Sequence, residues 1–364
     1  MTLSECFTSI ADAIRAKTGD SALITPVNMS NAINNISGGG GDAFKYAIAI
    51  NNNGTLEGSD DFDYASRVYD NAATFNHPVV IGDGVTSLIN AFCNCSNFNQ
   101  PVTIPSKVRF MSYAFSNCRK FNQPVNIPDS VTTMLETFCN CEIFNYPVSI
   151  PNGVTSVQKL FARCLRFNQP LTVPDSVTHG FECLNYCNNF NQPVTLGNAL
   201  FYANNFFAYC TNFNQPVAIP NSVRSSNNFF AYCYNFNAPV TWSQTATDMV
   251  GSFQYCNNFN RPITIPASVT NMANCFSRCA NFGSDVYLDK TTGTINVCGL
   301  FRNCNNSLQK NVWCNNIAMI NKATAYTSVT GTAVTWEAIT NGYRNTVYNV
   351  YLYNNYIPGQ GPVV

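Results

Sequence analysis

The chain repeats one short stretch, Phe98-Asn-Gln-Pro-Val-Thr-Ile-Pro105, ten times in whole or in part. The leading phenylalanines of successive copies are 23 residues apart: Phe75, Phe98, Phe121, Phe144, Phe167, Phe190, Phe213, Phe236, Phe259 and Phe282. A cysteine three residues before the phenylalanine keeps the same spacing in nine copies, from Cys95 to Cys279. A repeat of this length without insertions is typical of a solenoid, in which each repeat forms one coil of a stack.

One coil can be interpreted from the copy that begins at Phe121. Residues 124–128 alternate in the manner of a short strand, and the Asp-Ser pair after Pro128 predicts a turn or a short helix. The predicted core of the coil consists of Phe121, Val125, Ile127, Val131, Phe138 and Cys141. Because coils stack at the spacing of neighbouring strands, about 4.8 Å, we predict a solenoid with a parallel β-sheet along one side.

The segment before the repeats predicts an anchor and a cap. Residues 1–41 show the apolar spacing of two short amphipathic helices, followed by a glycine-rich hinge. Such helices cannot bury their apolar faces alone, so we expect them to anchor the chain through Phe7, Ile10, Ile14, Val27, Ile33 and Ile36. Residues 42–70 are interpreted as an N-terminal cap over the first coil.

The solenoid is predicted to span residues 71–305, with about ten coils. Its last copy, which ends at Cys304, is two residues out of step with the copy before it. Residues 306–364 predict a small β cap or module. Within it Asn341-Gly342 is a strong hairpin signal, flanked by Val334–Thr340 and Tyr343–Tyr353.

Composition narrows the classes of partner. The formal net charge is zero, and charged residues make up only 10% of the chain. Proteins bind nucleic acids and anionic membranes through an excess of basic residues, so neither is expected as a partner. The N-terminus lacks the basic and apolar regions of a signal peptide, and no run reaches the ~18 apolar residues of a membrane span. We therefore expect a protein that is made in a cytoplasm and is not inserted in a membrane.

Two columns of the repeat predict structural roles. The nine-cysteine column has three interpretations: a metal ladder, a disulfide ladder or buried free thiols. Zinc sites need clustered ligands, and pairing nine stacked cysteines leaves one over, so we predict buried free thiols and no metal or cofactor. The asparagine column, from Asn76 to Asn260, predicts hydrogen bonds from coil to coil.

A third column carries the candidate binding residues. The position before the cysteine varies along the chain, and in four consecutive coils it holds tyrosine. We predict a receptor-binding surface built from Tyr186, Tyr209, Tyr232, Tyr255, Phe206 and Phe229. The tyrosines provide either a stacking platform for sugar rings or an aromatic anchor for a protein. A ladder that satisfies only itself and a contact with a neighbouring subunit remain open as alternatives.

Catalytic motifs are absent from the sequence. The two histidines, His77 and His179, lie in no recurring context, and acidic residues such as Asp129 occupy a turn column. The glycine run at residues 38–41 lacks the Gly-Lys-Ser/Thr ending of a phosphate-binding loop. We therefore expect a protein without enzymatic activity.

The repeat also resembles known families. Ile104-Pro-Ser-Lys-Val108 followed by Ala114-Phe-Ser-Asn-Cys118 resembles the leucine-rich repeats of the BspA-like type, which place leucine where this chain has Phe98. The Phe-Asn-Gln wording is similar to repeats of mycoplasma surface proteins. These resemblances imply a leucine-rich-repeat-like solenoid used for adhesion or binding. Residues 10–19, followed by Ile24-Thr-Pro26, resemble a helical segment common in tail and fibre proteins of phages of Gram-positive hosts.

Together these observations favour a phage virion structural protein. We expect a tail or capsid fibre that binds a glycan or protein of the host cell surface, with residues 1–41 contacting other virion proteins. Multivalent attachment favours a homo-oligomer, a trimer by analogy with fibres. The alternatives are a bacterial BspA-like surface adhesin and an architectural virion protein without receptor contact. A glycan-degrading enzyme is the least favoured, since it needs paired acids in a cleft.

Overall fold

The computed structural model describes residues 72–76, 79, 81, 85–290, 292–305, 307–308 and 310–314, together with three later strands. Within these residues the chain winds as a solenoid, and the prediction of stacked coils with parallel strands is confirmed. Successive coils pair at a spacing of 23 residues, as in Leu171↔Val194 and Val217↔Val240. The sequence repeat is therefore the register of the stack.

Short parallel strands form one side of the solenoid. After a 3-10 helix at Ala72–Thr74 they are β1 (Leu171–Thr172), β2 (Val194–Thr195), β3 (Val217–Ala218), β4 (Val240–Thr241), β5 (Ile263–Ile265), β6 (Asp285–Leu288) and β7 (Asn311–Cys314). β1 pairs with β2 and β3 with β4, whereas β5, β6 and β7 are neighbours in a six-stranded sheet. In β5 the isoleucines are buried and Thr264 is exposed, as the alternation of a strand requires.

A second line of contacts between coils consists of single parallel bridges. One series joins Ser87, Phe110 and Thr133, and another runs from Ser156 to Asn296. Tight turns make up most of the remaining chain, and no α-helix occurs in the residues that the structure describes. The segment after Pro128 is accordingly a turn.

Stacked phenylalanine rings fill the core. The leading rings of neighbouring coils, such as Phe98 and Phe121, have centroids 5.8 Å apart and nearly parallel planes. Most coils contain a second phenylalanine, which stacks on the next leading ring. The ring centroids of Phe115 and Phe121, for example, are 4.5 Å apart. These rings are fully buried. Burial of one phenylalanine stabilises the fold by about 1.5–3 kcal/mol.

The cysteine column lies beside these rings as buried free thiols, which confirms the prediction. From Cys118 to Cys279 each thiol donates a hydrogen bond to a carbonyl oxygen of the preceding coil, as Cys118 does to Phe92 at 2.9 Å and Cys141 to Phe115 at 3.1 Å. Burial raises the pKa of the Cys95 thiol to about 12. The column is therefore protonated and unreactive at neutral pH.

The asparagine column joins coils as predicted, through bonds from asparagine side chains to the backbone of the next coil rather than between asparagine side chains. The side-chain oxygen of Asn99 accepts a hydrogen bond from the backbone N–H of Asn122 at 2.8 Å, and the same bond recurs from Asn76 to Asn260. Glutamine supports the column, since Gln123 Nε2 donates to the backbone oxygen of Asn99 at 3.1 Å. Each asparagine thus satisfies a backbone donor of the next coil.

The C-terminal strands extend the same sheet. β7 pairs in parallel with β10 (Tyr348–Leu352), β10 pairs antiparallel with β9 (Ala333–Trp336), and β9 pairs antiparallel with β8 (Tyr326–Thr330). The strands predicted around Asn341-Gly342 correspond to β9 and β10, while the two turn residues lie outside the described residues. Strand β8 was not predicted.

The late repeat keeps its core contact despite its offset. Cys304 donates to the carbonyl oxygen of Phe276, 28 residues earlier, whereas the cysteines from Cys118 to Cys279 reach 26 residues back. The predicted helical anchor and N-terminal cap, residues 1–70, lie outside the described residues.

Candidate functional site

The column that carries the predicted binding residues lies immediately before the core cysteines. Its members have φ between 57° and 65°: Asn94, Asn117, Asn140, Arg163, Tyr186, Tyr209, Tyr232, Tyr255, Arg278 and Asn303. A left-handed backbone costs roughly 1–2 kcal/mol for most residues with a Cβ, and asparagine tolerates it better than they do. The backbone therefore favours asparagine at this position.

The first three members of the column use asparagine in this way. Asn117 donates its amide N–H to the side-chain oxygen of Asn94 at 2.8 Å, and Asn140 donates to Asn117 at 2.7 Å. These bonds link one coil to the next without any aromatic group. Neither the backbone conformation nor the stacking of coils thus requires the tyrosines that follow.

Four tyrosines replace the asparagines in the middle of the solenoid. Their ring centroids are 4.0 Å apart for Tyr186 and Tyr209, 4.2 Å for Tyr209 and Tyr232, and 4.3 Å for Tyr232 and Tyr255. All four are partly exposed. Stacked aromatic pairs contribute about 0.5–1.5 kcal/mol each, which offsets part of the backbone strain.

An arginine closes each end of this aromatic stack. The guanidinium carbon of Arg163 lies 4.9 Å from the ring centroid of Tyr186, and that of Arg278 lies 4.9 Å from the centroid of Tyr255. Both arginines are exposed, and among the described residues neither forms an ion pair with a carboxylate. We call these six residues, Arg163, Tyr186, Tyr209, Tyr232, Tyr255 and Arg278, the tyrosine row.

The geometry of the tyrosine row changes what it offers a ligand. Each tyrosine face is covered by a neighbouring ring or by a guanidinium group, so no face is free for a stacked sugar ring. The ring edges, the phenol hydroxyls and the guanidinium N–H groups remain for contact. The sugar-stacking form of the prediction is therefore wrong, and the row is a surface of edges and polar groups.

The hydroxyl groups of the row interact with one another. Desolvation, together with hydrogen bonds to the Tyr186 and Tyr232 hydroxyls, raises the pKa of Tyr209. The Tyr209 phenol is therefore protonated at neutral pH, and its bonds to both neighbours leave one oxygen lone pair to accept a hydrogen bond from a ligand.

The two phenylalanines predicted to extend the binding surface belong to the core. Phe206 and Phe229 are fully buried, and their rings stack at 5.9 Å. Space for Phe206 comes from Gly180, since a Cβ there would lie 3.1 Å from the Phe206 ring. The prediction that these phenylalanines contact a ligand is corrected accordingly.

A polar groove of about 420 Å³ opens beside the first tyrosine of the row. One wall carries Glu136, Lys159 and Glu182, and the other carries Asn140, Arg163 and Tyr186. Cys139 and Ala162 lie between the walls and are buried. We call this feature the side groove. The side groove was not predicted from the sequence, although all its members come from variable columns.

An exposed aromatic cluster on another face was also missed. The ring of Tyr202 stacks on Phe181 at 5.3 Å and lies 5.1 Å from His179 and 4.7 Å from Phe201. Phe201 and Tyr202 are 39% and 36% exposed, whereas most phenylalanines of the described residues are buried in the core. The signal in the sequence is the replacement of small polar residues by aromatic residues in two consecutive coils.

Other chemical features lie outside the described residues or do not occur within them. The part of the chain that the structure describes holds no group of three histidine, cysteine or acidic side chains placed to bind a metal ion. Nor does this part contain an apolar helix of membrane-spanning length. The predicted anchoring residues, Phe7, Ile10, Ile14, Val27, Ile33 and Ile36, all precede the described region.

One family profile matches the chain in overlapping segments. The family is described as "Mycoplasma protein of unknown function, DUF285", and its matches cover residues 43–129, 86–195, 127–219, 174–266 and 202–313. The overlap reflects the repeat, since each segment spans several coils. No curated protein matches the chain.

Two solved structures are similar to this one. A leucine-rich repeat protein from Bacteroides ovatus is 23% identical, with a TM-score of 0.53 over 63% of this chain and 59% of that one. A leucine rich cell surface protein from Faecalibacterium prausnitzii is 22% identical, with a TM-score of 0.37 over 68% of this chain and 62% of that one. The chain thus spans about three fifths of each of these proteins. The first similarity shows a leucine-rich repeat fold.

Proposed function

The chain belongs to the family described as "Mycoplasma protein of unknown function, DUF285", and from that premise we propose that it is a surface adhesin. In this proposal the solenoid is a binding scaffold without catalytic activity, and the tyrosine row is its contact surface. The partner is a glycan or a protein of a cell surface. This proposal ranks the adhesin above the phage virion protein that the sequence favours. The reason is that the family match covers the whole solenoid, whereas the resemblance to phage proteins is confined to residues 10–26.

The observation that carries the proposal is the replacement of asparagine by aromatic residues at a strained backbone position. Asn117 and Asn140 show that an amide ladder serves this column well. Tyrosine at φ of 60–65° adds strain and leaves polar groups at the surface. A binding role accounts for that cost, since tyrosine and arginine are the residues enriched where proteins bind their partners.

Attachment by such a surface is weak at each contact and gains strength by repetition. Phenol hydroxyls and guanidinium groups form hydrogen bonds that exchange with water, so each contributes only about 0.5–1.5 kcal/mol in net terms, or somewhat more where a charge is involved. Several chains displayed on one surface multiply these contacts through their effective concentration. The regular 23-residue spacing suits a ligand that is itself repetitive.

Binding of the labelled full chain to mycoplasma, Gram-positive and mammalian cells tests the proposal. The test variant of the chain carries Tyr209→Asn and Tyr232→Asn, because asparagine already occupies this column and fits the left-handed backbone. We expect saturable binding to at least one cell type, with apparent affinity reduced at least tenfold in the double variant. The matched control is Tyr113→Asn, another tyrosine at positive φ in a column where Asn90 also stands.

Two results would contradict the proposal. One is the absence of saturable binding to any cell type by a chain whose circular dichroism shows a folded solenoid. The other is an equal loss of binding in the double variant and in Tyr113→Asn, which would remove the tyrosine row from the contact surface.

A second candidate function is attachment of a phage particle, favoured by residues 10–19, which resemble a segment of phage tail and fibre proteins. In that case residues 1–41 bind other virion proteins and the chain forms a homo-oligomer, with a trimer as the proposal. Antibody labelling separates the two candidates. An adhesin is found on the surface of the cell that produces it, whereas a virion protein is found on purified particles.

A further inference from the structure

The side groove adjoins the tyrosine row and has its own chemistry. It opens between two columns of left-handed residues, with Glu136, Lys159 and Glu182 on one wall and Asn140 and Arg163 on the other. Its volume, about 420 Å³, is within the range of small-molecule sites, roughly 300–1,000 Å³. Nothing in the stacking of the coils requires these charged residues, because other coils hold Asn90, Asn205 or Asn228 in the same column as the first wall.

The charges that line the side groove balance one another. Lys159 Nζ lies 3.5 Å from the Glu136 carboxylate. Burial alone would lower the pKa of Lys159, but the Glu136 and Glu182 carboxylates raise it, so the amine lies between two acids. Arg163 supplies the second positive charge. The two acids and the two basic residues give the lining no net charge, so it does not favour a ligand of either sign.

The walls nevertheless present both donors and acceptors of hydrogen bonds. Lysine and arginine only donate, and carboxylates only accept. Asn140 donates to Asn117 at 2.7 Å, so its own carbonyl oxygen is the terminal acceptor of the amide ladder. Hydroxyl groups both donate and accept, and therefore fit such a mixed lining. The buried Cys139 and Ala162 add a small apolar floor for the C–H face of a ring.

We propose that the side groove binds a short neutral oligosaccharide, with ring hydroxyls on the Glu136–Lys159–Glu182 and Asn140–Arg163 walls and a C–H face on Ala162. The inference rests on the proposed function, since it names the ligand class of an adhesive surface. The phenol hydroxyls of the tyrosine row then continue the site along the solenoid axis.

Glycan-array binding by the full chain tests this inference. The array carries neutral di- to tetrasaccharides of glucose, galactose and N-acetylhexosamines, together with sialylated and uronic-acid counterparts. We expect binding to neutral members, and titration calorimetry with the best of them gives its affinity. Ala162→Gln fills the groove floor, and the coil accommodates it because Gln254 occupies the same column. We expect at least a tenfold loss of affinity.

The matched control is Ala231→Gln, which makes the same change in the same buried column three coils further along. We expect it to bind the sugar within twofold of the unmodified chain. Thermal unfolding of both variants verifies that each is folded. The inference is overturned if no array member binds, if only acidic members bind, or if both folded variants lose affinity equally.

The cell-attachment test and the sugar-binding test can fail independently of each other. If the labelled chain attaches to cells through the tyrosine row and no sugar binds, the adhesin proposal stands and the groove inference falls. If a neutral sugar binds in the groove and no cell type is bound, the groove inference stands and the adhesin proposal falls.

Discussion

Single side chains connect each coil to the backbone of its neighbour. Cys210 donates its thiol hydrogen to the carbonyl oxygen of Leu184 at 3.0 Å, and Asn191 accepts from the backbone N–H of Asn214 at 2.9 Å. A buried backbone group without a partner costs about 1–3 kcal/mol. These two residue types recur because each removes that cost in coil after coil, the cysteine inside the core and the asparagine at its edge.

One buried acid near the end of the solenoid makes stability depend on pH. Burial raises the pKa of Asp289 from 3.8 to about 6, and its Oδ1 has no hydrogen-bond partner among the described residues. The folded state therefore favours the protonated acid, and its contribution to stability is present below about pH 4 and is lost as pH rises to about 6. We expect Asp289→Asn to raise the free energy of unfolding at pH 7 by on the order of 2 kcal/mol.

Urea denaturation at pH 4 and pH 7 measures this effect. The stabilisation by Asp289→Asn is expected to shrink at pH 4, because the native acid is then largely protonated. Asp129→Asn, at an exposed turn residue, serves as the control for the loss of one carboxylate, and we expect it to change the free energy of unfolding at pH 7 by less than Asp289→Asn does. Equal stabilisation by Asp289→Asn at both pH values would contradict the prediction.

At the scale of one coil and its neighbour, large and small residues compensate. In two adjacent coils Phe206 and Phe229 replace smaller core residues such as Ala114 and Thr137 in the same column. Three residues before them in the chain, where other coils hold methionine, lie Ala203 and Ser226. The preceding coil has Gly180 in that position, and the Phe206 ring and Leu200 lie against it. The core thus keeps its volume while its residues change.

This compensation predicts that the effect of Gly180→Ala on stability changes sign when the Phe206 ring is removed. A Cβ on Gly180 would lie 3.0 Å from Leu200 and 3.1 Å from the Phe206 ring, so we expect Gly180→Ala to destabilise the protein by about 1–3 kcal/mol. Phe206→Ala leaves a cavity and is expected to cost about 3–5 kcal/mol. In the Phe206→Ala background the added methyl fills vacated space, so Gly180→Ala should become stabilising.

Denaturant titration of both single variants and the double variant gives the coupling energy of this pair. Additive effects, with Gly180→Ala equally unfavourable in both backgrounds, would show that the ring does not limit the space at residue 180.

The repeat allowed some columns to be predicted and not others. Cys210 and Asn214 recur in register, so their structural roles follow from the spacing alone. Whether Phe206 faces the core or the surface does not follow from the spacing, because Asn205 and Tyr209 both have positive φ and interrupt the alternation of a strand. Arg163 and Arg278 stand in the same column as the tyrosines, but their position over the ring faces depends on side-chain rotamers that spacing does not specify.

At the scale of the whole molecule, the solenoid is a chain of nearest-neighbour contacts. Each coil bonds to the coil before it and the coil after it, at an offset of 23 residues in the ladders of Asn99 and Asn122. Stability in such a stack is approximately a sum of coil and interface terms. The tyrosine row and the side groove occupy coils between residues 136 and 278, so coils nearer the N-terminus contribute to length and stability without touching the proposed contact surfaces.

Removal of one whole coil tests this additivity. Deletion of residues 122–144, which are 23 in number, joins Phe121 to Asn145 and leaves each column in register. We expect a folded solenoid with a denaturant m-value about one tenth lower. Deletion of residues 122–132 instead leaves half a coil, whose chain is too short to place both a leading phenylalanine and a cysteine in the core. We expect that variant to lose cooperative unfolding. If the half-coil deletion folds as well as the whole-coil deletion, the 23-residue register does not determine the stack.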